Sequence, residues 1–435
     1  MLKLYLYFAK GFSISIFKWD FYSDQPYQIK DRVYKKRERK KELLSLIYTF
    51  VSTLLIVPIA LIFLPLFKKK EIETKSFFGM SVNLDKEPLK TPALLNDLGV
   101  KHVLVRFPLS DIKNINTYLD FIKNLRVDSI LLNVMQDPHT IKDKQTLHEH
   151  FSLVFETFSP HVSSYQIGTT INRSKWGFFS VNQFLRFYQI AYKIKKAHYP
   201  NIKLLGPSVI DFEYHYLIHG LFNFFRLRYD AVSALLYVDR RGAPENTQMG
   251  LDLISKIHFM YAYATMSPKS SNDIIITETN WPITKTAPYA PTSEHECVDD
   301  EDYANYMVRY YLLSLCSTMV KSVYWHQLIA PGYGLIDNRD GNFIKRPAYN
   351  AFKTMLKQLQ GAKVLAFVQH KEFYEIIAHI NDETVQVLWC NDTEFELSFN
   401  KEVHIISRDG ISSTSKTVKL SGFPVYCKDI KESNK

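Results

Sequence analysis

Eight short, β-branched or apolar runs between Phe77 and Leu328 constrain the fold more than any other feature of this chain. They are Phe77–Asn83, His102–Phe107, Ser129–Val134, Ser164–Gly168, Lys203–Ser208, Ala231–Val238, Asp273–Glu278 and Ser322–Leu328. Between them lie segments with apolar residues at three- and four-residue spacing. Thr91–Leu98, Ile115–Leu125 and Val181–His198 are examples, and they read as amphipathic helices. Strands that alternate with helices imply a parallel sheet with right-handed crossovers. Eight repeats in about 250 residues fit a closed (β/α)₈ barrel better than an open sheet. A helix over Asn350–Gln360 closes the barrel, which is expected over residues 75–361.

From Val364 the period falls to two. Val364–Gln369, Tyr374–Ile380, Thr384–Cys390, Phe395–Phe399, Val403–Ser407 and Thr417–Leu420 read as strands, with Asn381-Asp382 and Asp409-Gly410 as turn signals. The expected unit over 362–435 is a small antiparallel β-sandwich packed on the barrel.

Ahead of the barrel, Leu43–Phe67 contains no charged residue. A spanning helix needs roughly 20 apolar residues, so residues 43–67 are expected to cross a membrane and contact lipid. Pro58 and Pro65 are tolerated in such helices. The formal charge of +10 is concentrated beside this run, in Lys35–Lys41 and Lys68–Lys70. That placement points to lipid headgroups, and no nucleic-acid partner is expected. Basic residues are in excess on the N-terminal side, so residues 1–42 are expected to be cytoplasmic and the barrel extracytoplasmic, on a single-pass inner-membrane protein.

Catalytic groups of a (β/α)₈ barrel sit at the C-terminal ends of its strands. The seventh run ends Ile-Ile-Ile-Thr-Glu-Thr-Asn-Trp, placing Glu278 and Trp281 at that rim. The second ends in Val105-Arg106-Phe107, and a fixed cation near Glu278 would favour its ionised form. The eighth gives Tyr324-Trp325-His326-Gln327 at the same rim.

Together these residues, with Gly79-Met80-Ser81-Val82-Asn83 on the opening strand and Pro347-Ala348-Tyr349 before the closing helix, resemble the clan A glycoside hydrolases. The resemblance covers most of the chain beyond the apolar run. It implies a retaining glycosidase on a (β/α)₈ barrel, with Glu278 as nucleophile, Arg106 as its electrostatic support and Trp325 as the floor of the sugar site. The clan's fourth strand ends in Gly-Asn-Glu, the Glu being the general acid/base. Here it reads Gly168-Thr169-Thr170-Ile171-Asn172-Arg173, so both functional slots hold threonine. A threonine hydroxyl does not titrate near neutrality, and retaining hydrolysis needs two carboxyl groups.

Replacement acids can be sought at the same rim. Glu213 follows the fifth run, and Asp239 and Glu245 follow the sixth, beside Tyr237, Arg240 and Arg241. The two arginines would suit an acidic or phosphorylated sugar, or belong to a salt-bridged surface turn. Sugar contacts are expected from Trp325, Trp281, Tyr237, His326, Thr169, Thr170, Asn172, Arg240 and Arg241.

Other chemistries lack their motifs. There is no phosphate-binding glycine loop, and His215 and His219 stand four apart without an H-E-x-x-H pattern, so no metal and no cofactor are expected. Of four cysteines, Cys390 and Cys427 fall in one unit and could pair in an oxidising compartment. Two readings therefore stand: a glycosidase or transglycosylase acting on a cell-envelope glycan, and a non-catalytic barrel that binds one.

Overall fold

The computed structural model describes residues 16–66, 74–238, 242–391 and 393–429. Eight parallel strands form a closed barrel. They are β1 (Phe78–Val82), β2 (His102–Pro108), β3 (Ser129–Met135), β4 (Ser164–Ile167), β5 (Lys203–Ile210), β6 (Ala231–Leu235), β7 (Ile274–Ile276) and β8 (Val320–Trp325). Closure comes from β8 pairing with both β7 and β1, with Val323 opposite Ile276 on one side and Phe78 on the other. The strands are nearly continuous apolar runs because helices cover the outside while side chains fill the lumen. Leu104, Leu131, Leu205, Ala231 and Tyr324 pack together inside as the barrel floor.

The surrounding helices are α3 (Thr91–Leu98), α4 (Ile115–Asn124), α5 (Lys144–Phe158), α6 (Val181–His198), α7 (Tyr214–Leu221), α8 (Leu253–Met266), α9 (Asp300–Cys316) and α10 (Pro347–Leu359). Several start at a side-chain cap that satisfies an orphan backbone N–H. Ser180 caps α6, Asp252 caps α8 and Asp299 caps α9.

Two further helices precede the barrel, α1 (Arg32–Lys41) and α2 (Leu43–Phe63). The apolar α2 lies along the flank formed by α6, α7 and α8. Its small polar residues face that flank: Thr49 Oγ1 is 2.7 Å from His219 Nδ1, and the backbone N–H of Asn182 donates to Ser45 Oγ. Ahead of α1, Trp19–Asp20 pairs with Gln25–Pro26 in a short hairpin over the barrel mouth.

The C-terminal unit contains β9 (Lys363–Gln369), β10 (Tyr374–Ile380), β11 (Glu383–Trp389), β12 (Phe395–Ile406), β13 (Ser412–Leu420) and β14 (Val425–Asp429). Hydrogen bonding runs through all six as one antiparallel sheet, in the order β9-β10-β11-β14-β12-β13. One face, with Ile376, Val387 and Tyr426, joins the barrel core, and the other closes around Leu388, Cys390, Ile405 and Cys427. The two runs expected at 395–399 and 403–407 are one bent strand, β12, with a register shift between Ser398 and Val403. The cysteines cannot pair in this register. Gln386 is opposite Cys427, so Cys390 lies four residues further along, about 13 Å at 3.3 Å per residue, and a disulfide needs Cα atoms within about 7 Å.

Candidate active site

The C-terminal rim of the barrel encloses a cavity of about 240 Å³. That is just below the usual span of ligand pockets, roughly 300–1,000 Å³, and suits one small ring. Five expected residues line it: Arg106, Thr170, Tyr237, Glu278 and His326.

Strand alternation brings them together. On β2, Leu104 points into the barrel floor and Arg106 lies one pleat higher on the same face. On β8, Tyr324 fills the floor and His326, two residues on, reaches the cavity. Glu278 follows β7 and keeps part of its surface open to the cavity it lines. The Tyr237 hydroxyl donates to Glu278 Oε1 at 2.8 Å.

The electrostatics differ from the simple expectation. Burial raises the Glu278 carboxyl above the usual glutamate range. The Arg106 charge and the Tyr237 hydrogen bond oppose that, while Asp24 and Asp211 add to it. So Arg106 acts in the expected sense, but the net direction is upward. Burial, assisted by the Arg106 charge, holds His326 well below the ordinary imidazole value, so the ring is neutral at pH 7. His326 stacks on Tyr333, with ring centroids 5.4 Å apart.

Other expected contacts lie elsewhere. Trp325 is fully buried on the outer face of β8, where its indole N–H donates to the Tyr303 hydroxyl on α9. Trp281 stacks against Trp325 and donates to the Gly242 carbonyl. Both indoles are barrel-to-helix packing, and neither lines the cavity. Thr169 is not in the cavity lining and is tied through its backbone to Gln136. Asn172 brackets the end of β5, donating to the Ile210 carbonyl and Glu213 and accepting from the Ile210 N–H.

The replacement acids fare no better. Glu213 is held by Arg173 at 2.7 Å and by Asn172, outside the cavity lining. Glu245 is buried in a two-pronged bond with Arg309 and accepts from the Trp389 indole, so it joins barrel to C-terminal sheet and does not face the site. Asp239, Arg240 and Arg241 lie outside the described residues.

Among the described residues, the second carboxylate lining the cavity is Asp24, from the N-terminal hairpin. Its Oδ2 accepts from Arg106 Nη1 at 2.9 Å, Asn83 Nδ2 at 3.0 Å and, more weakly, Gln327 Nε2 at 3.4 Å. The hairpin is seated by Trp19 edge-on to Trp176 and by Lys175 Nζ donating to Gln25. Trp176 is the indole that does line the cavity. Sequence reasoning missed Asp24 because it enters from a distant segment. Tyr333 was also missed, although the flanking Gly332 and Gly334 mark a close chain approach: a Cβ on either would collide with backbone.

No family model matches the chain, and no curated protein does. Solved structures do. One is a family 39 glycoside hydrolase from Bacteroides cellulosilyticus WH2, with TM-score 0.64 and 14% identity over 83% of this chain and 82% of that one. A family 30 endoxylanase from Clostridium papyrosolvens C71 has TM-score 0.54 and 10% identity over 83% and 98%. A family 51 arabinofuranosidase from Xanthomonas axonopodis pv. citri has TM-score 0.55 and 12% identity over 83% and 97%. The fold is clan A glycoside hydrolase-like. Glu278, just past β7, and Thr170, just past β4, both line the cavity of this barrel.

Proposed function

We propose that the protein acts on a carbohydrate at this cavity, with Glu278 as the nucleophile of a glycosyl transfer. The observation that carries this is the surroundings of Glu278, a carboxylate at the barrel mouth bonded by the Tyr237 hydroxyl and near the Arg106 charge. A Glu278 oxygen would attack the anomeric carbon, and the leaving group would depart with the bonding pair. An acceptor hydroxyl would then displace Glu278, its proton passing to solvent. Thr170 supplies no acid for the first step and no base for the second, which favours good leaving groups and sugar acceptors over water. The matched xylanase and arabinofuranosidase support a carbohydrate substrate. A glycan of the cell envelope is the substrate class we assign, on the strength of the apolar α2.

A second reading has its own observation. Asp24 occupies part of the cleft and holds Arg106, as in a barrel that binds a glycan without turning it over.

Dinitrophenyl glycosides separate the two, because their leaving group needs no acid. The catalytic reading expects a burst of dinitrophenol stoichiometric with protein and a glycosyl adduct on the Glu278 peptide. Azide should accelerate release, and Glu278→Gln should remove all of these. Saturable glycan binding that survives Glu278→Gln, with no burst from wild type, would replace catalysis with binding.

A further inference from the structure

The apolar helix α2 has two unlike faces. Ser45, Thr49, Ser52 and Ala60 are buried, at spacings of four, three and eight that trace one stripe. That stripe rests on the barrel from end to end. Glu42, just before the helix, accepts from Arg186, Gln183 and Ser180. Tyr48 donates to the Phe222 carbonyl and Thr49 meets His219. Beyond the helix, Thr74 Oγ1 bonds the carbonyls of Leu359 and Ala362.

The opposite face is bare. From Leu43 to Leu66, twelve large apolar side chains are exposed, Leu44 at 83%, Leu55 at 63% and Ile62 at 70% among them. Phe224, 89% exposed, extends the patch from the barrel side beside Tyr48. Surfaces this apolar mark a partner. The helix leading into it is strongly basic: seven of the ten residues of α1 are Lys or Arg, and its single acid, Glu38, is bonded by Lys41 and Lys142. An apolar face continued by a cationic one complements an anionic bilayer surface.

A helix crossing the bilayer conflicts with this packing. Both flanks of α2 are tied to one body, through Asp24 to Arg106 and Glu38 to Lys142 before it and through Thr74 after it. Crossing would also draw the charged surface of α6, including Arg186 and Lys193, into hydrocarbon, which is costly.

We propose that the outward face of α2 is a membrane-docking surface. It lies in the plane of a bilayer rich in anionic lipid, with the N-terminal hairpin and the barrel on the same side. This does not depend on the catalytic reading, since it uses no residue of the cavity.

The full chain, in a Cys297→Ser background, is labelled at single cysteines introduced at Phe21 and Leu89, both exposed. A membrane-impermeant maleimide is applied to intact spheroplasts and to inside-out vesicles of the expressing cells. In-plane docking expects both positions to react in the same preparation. Reaction in opposite preparations means that α2 spans, and overturns the proposal. Purified protein should float with vesicles of equal parts phosphatidylglycerol and phosphatidylcholine, at least tenfold more than with phosphatidylcholine alone, and several-fold less at high salt. Ile47→Glu/Leu54→Glu/Ile62→Glu should abolish flotation with the circular dichroism spectrum unchanged. Should that variant misfold, Lys36→Gln/Lys40→Gln, which leaves the apolar face intact, should weaken flotation on the anionic vesicles several-fold. A wild type that does not float, including one that buries this face in a soluble dimer, also overturns the proposal.

Discussion

Burial opposes a charge on Glu278. Its carboxyl is raised above the usual glutamate range, so the native state favours the protonated form. The stability this contributes is fully present below the unfolded pKa and is lost as pH rises through the folded one. At neutral pH the buried carboxylate therefore costs stability. Glu278→Gln should raise the melting temperature by a few degrees at pH 7, on the order of 1 kcal/mol, and the gain should vanish in acid; a scan at two pH values checks both. Asp24→Asn acts differently. It strips the nearly buried Arg106 of its ion partner, at roughly 3 kcal/mol. It also removes a negative charge that raises Glu278, so the acid limb of a pH–rate profile on dinitrophenyl glycosides should move to lower pH. An unmoved limb would sink the coupling between Asp24 and Glu278. At this scale the sequence showed which strand ends face the mouth, hence Arg106, Thr170, Tyr237, Glu278 and His326. It did not show side-chain parity near the end of β8. Adjacent residues point oppositely, so Trp325 packs outward while His326 reaches the cavity.

Elements were more legible than residues, because period and length are local properties. All eight barrel strands and helices such as α3 and α6 fall where periodicity places them. The strand β14 was missed although Ser421-Gly422 and Pro424 mark a turn before it, because a five-residue run carries little period of its own and only pairing sets it between β11 and β12. Its insertion joins the two halves of the C-terminal sheet, and that sheet is latched to the barrel by polar bonds no pattern reveals. Arg309 on α9 binds Glu245 and Asn391, and Trp389 at the end of β11 binds Glu245 as well. The Glu245–Arg309 pair is buried, with side chains 3% and 2% exposed. Glu245→Gln should leave an uncompensated guanidinium and cost roughly 3–5 kcal/mol. Glu245 does not touch the cavity, so the pH–rate profile should keep its shape while denaturant midpoint falls. A changed profile with an unchanged midpoint would return Glu245 to the site.

For the whole molecule, the question is whether residues 16–66 are an appendage or part of the body. Length and hydropathy alone describe α2 as an anchor, because Ser45, Thr49 and Ser52 are too small and mild to stand out in an apolar run. In the folded protein those residues are the contact. Removing the segment would expose the mostly buried His219 and the carbonyl of Phe222, and would take Asp24 from Arg106. His219 is held near pH 4 by burial alone, so uncovering it would let it charge in mild acid. An appendage behaves otherwise: cutting at the linker after an anchor releases an intact soluble domain. Residues 74–435 expressed alone should therefore aggregate, or melt at least ten degrees below the full chain. Any soluble fraction should have lost the burst on dinitrophenyl glycosides along with Asp24's hold on Arg106. A truncated chain that melts like the full one and keeps its chemistry would mean that the hairpin, α1 and α2 merely rest on the barrel.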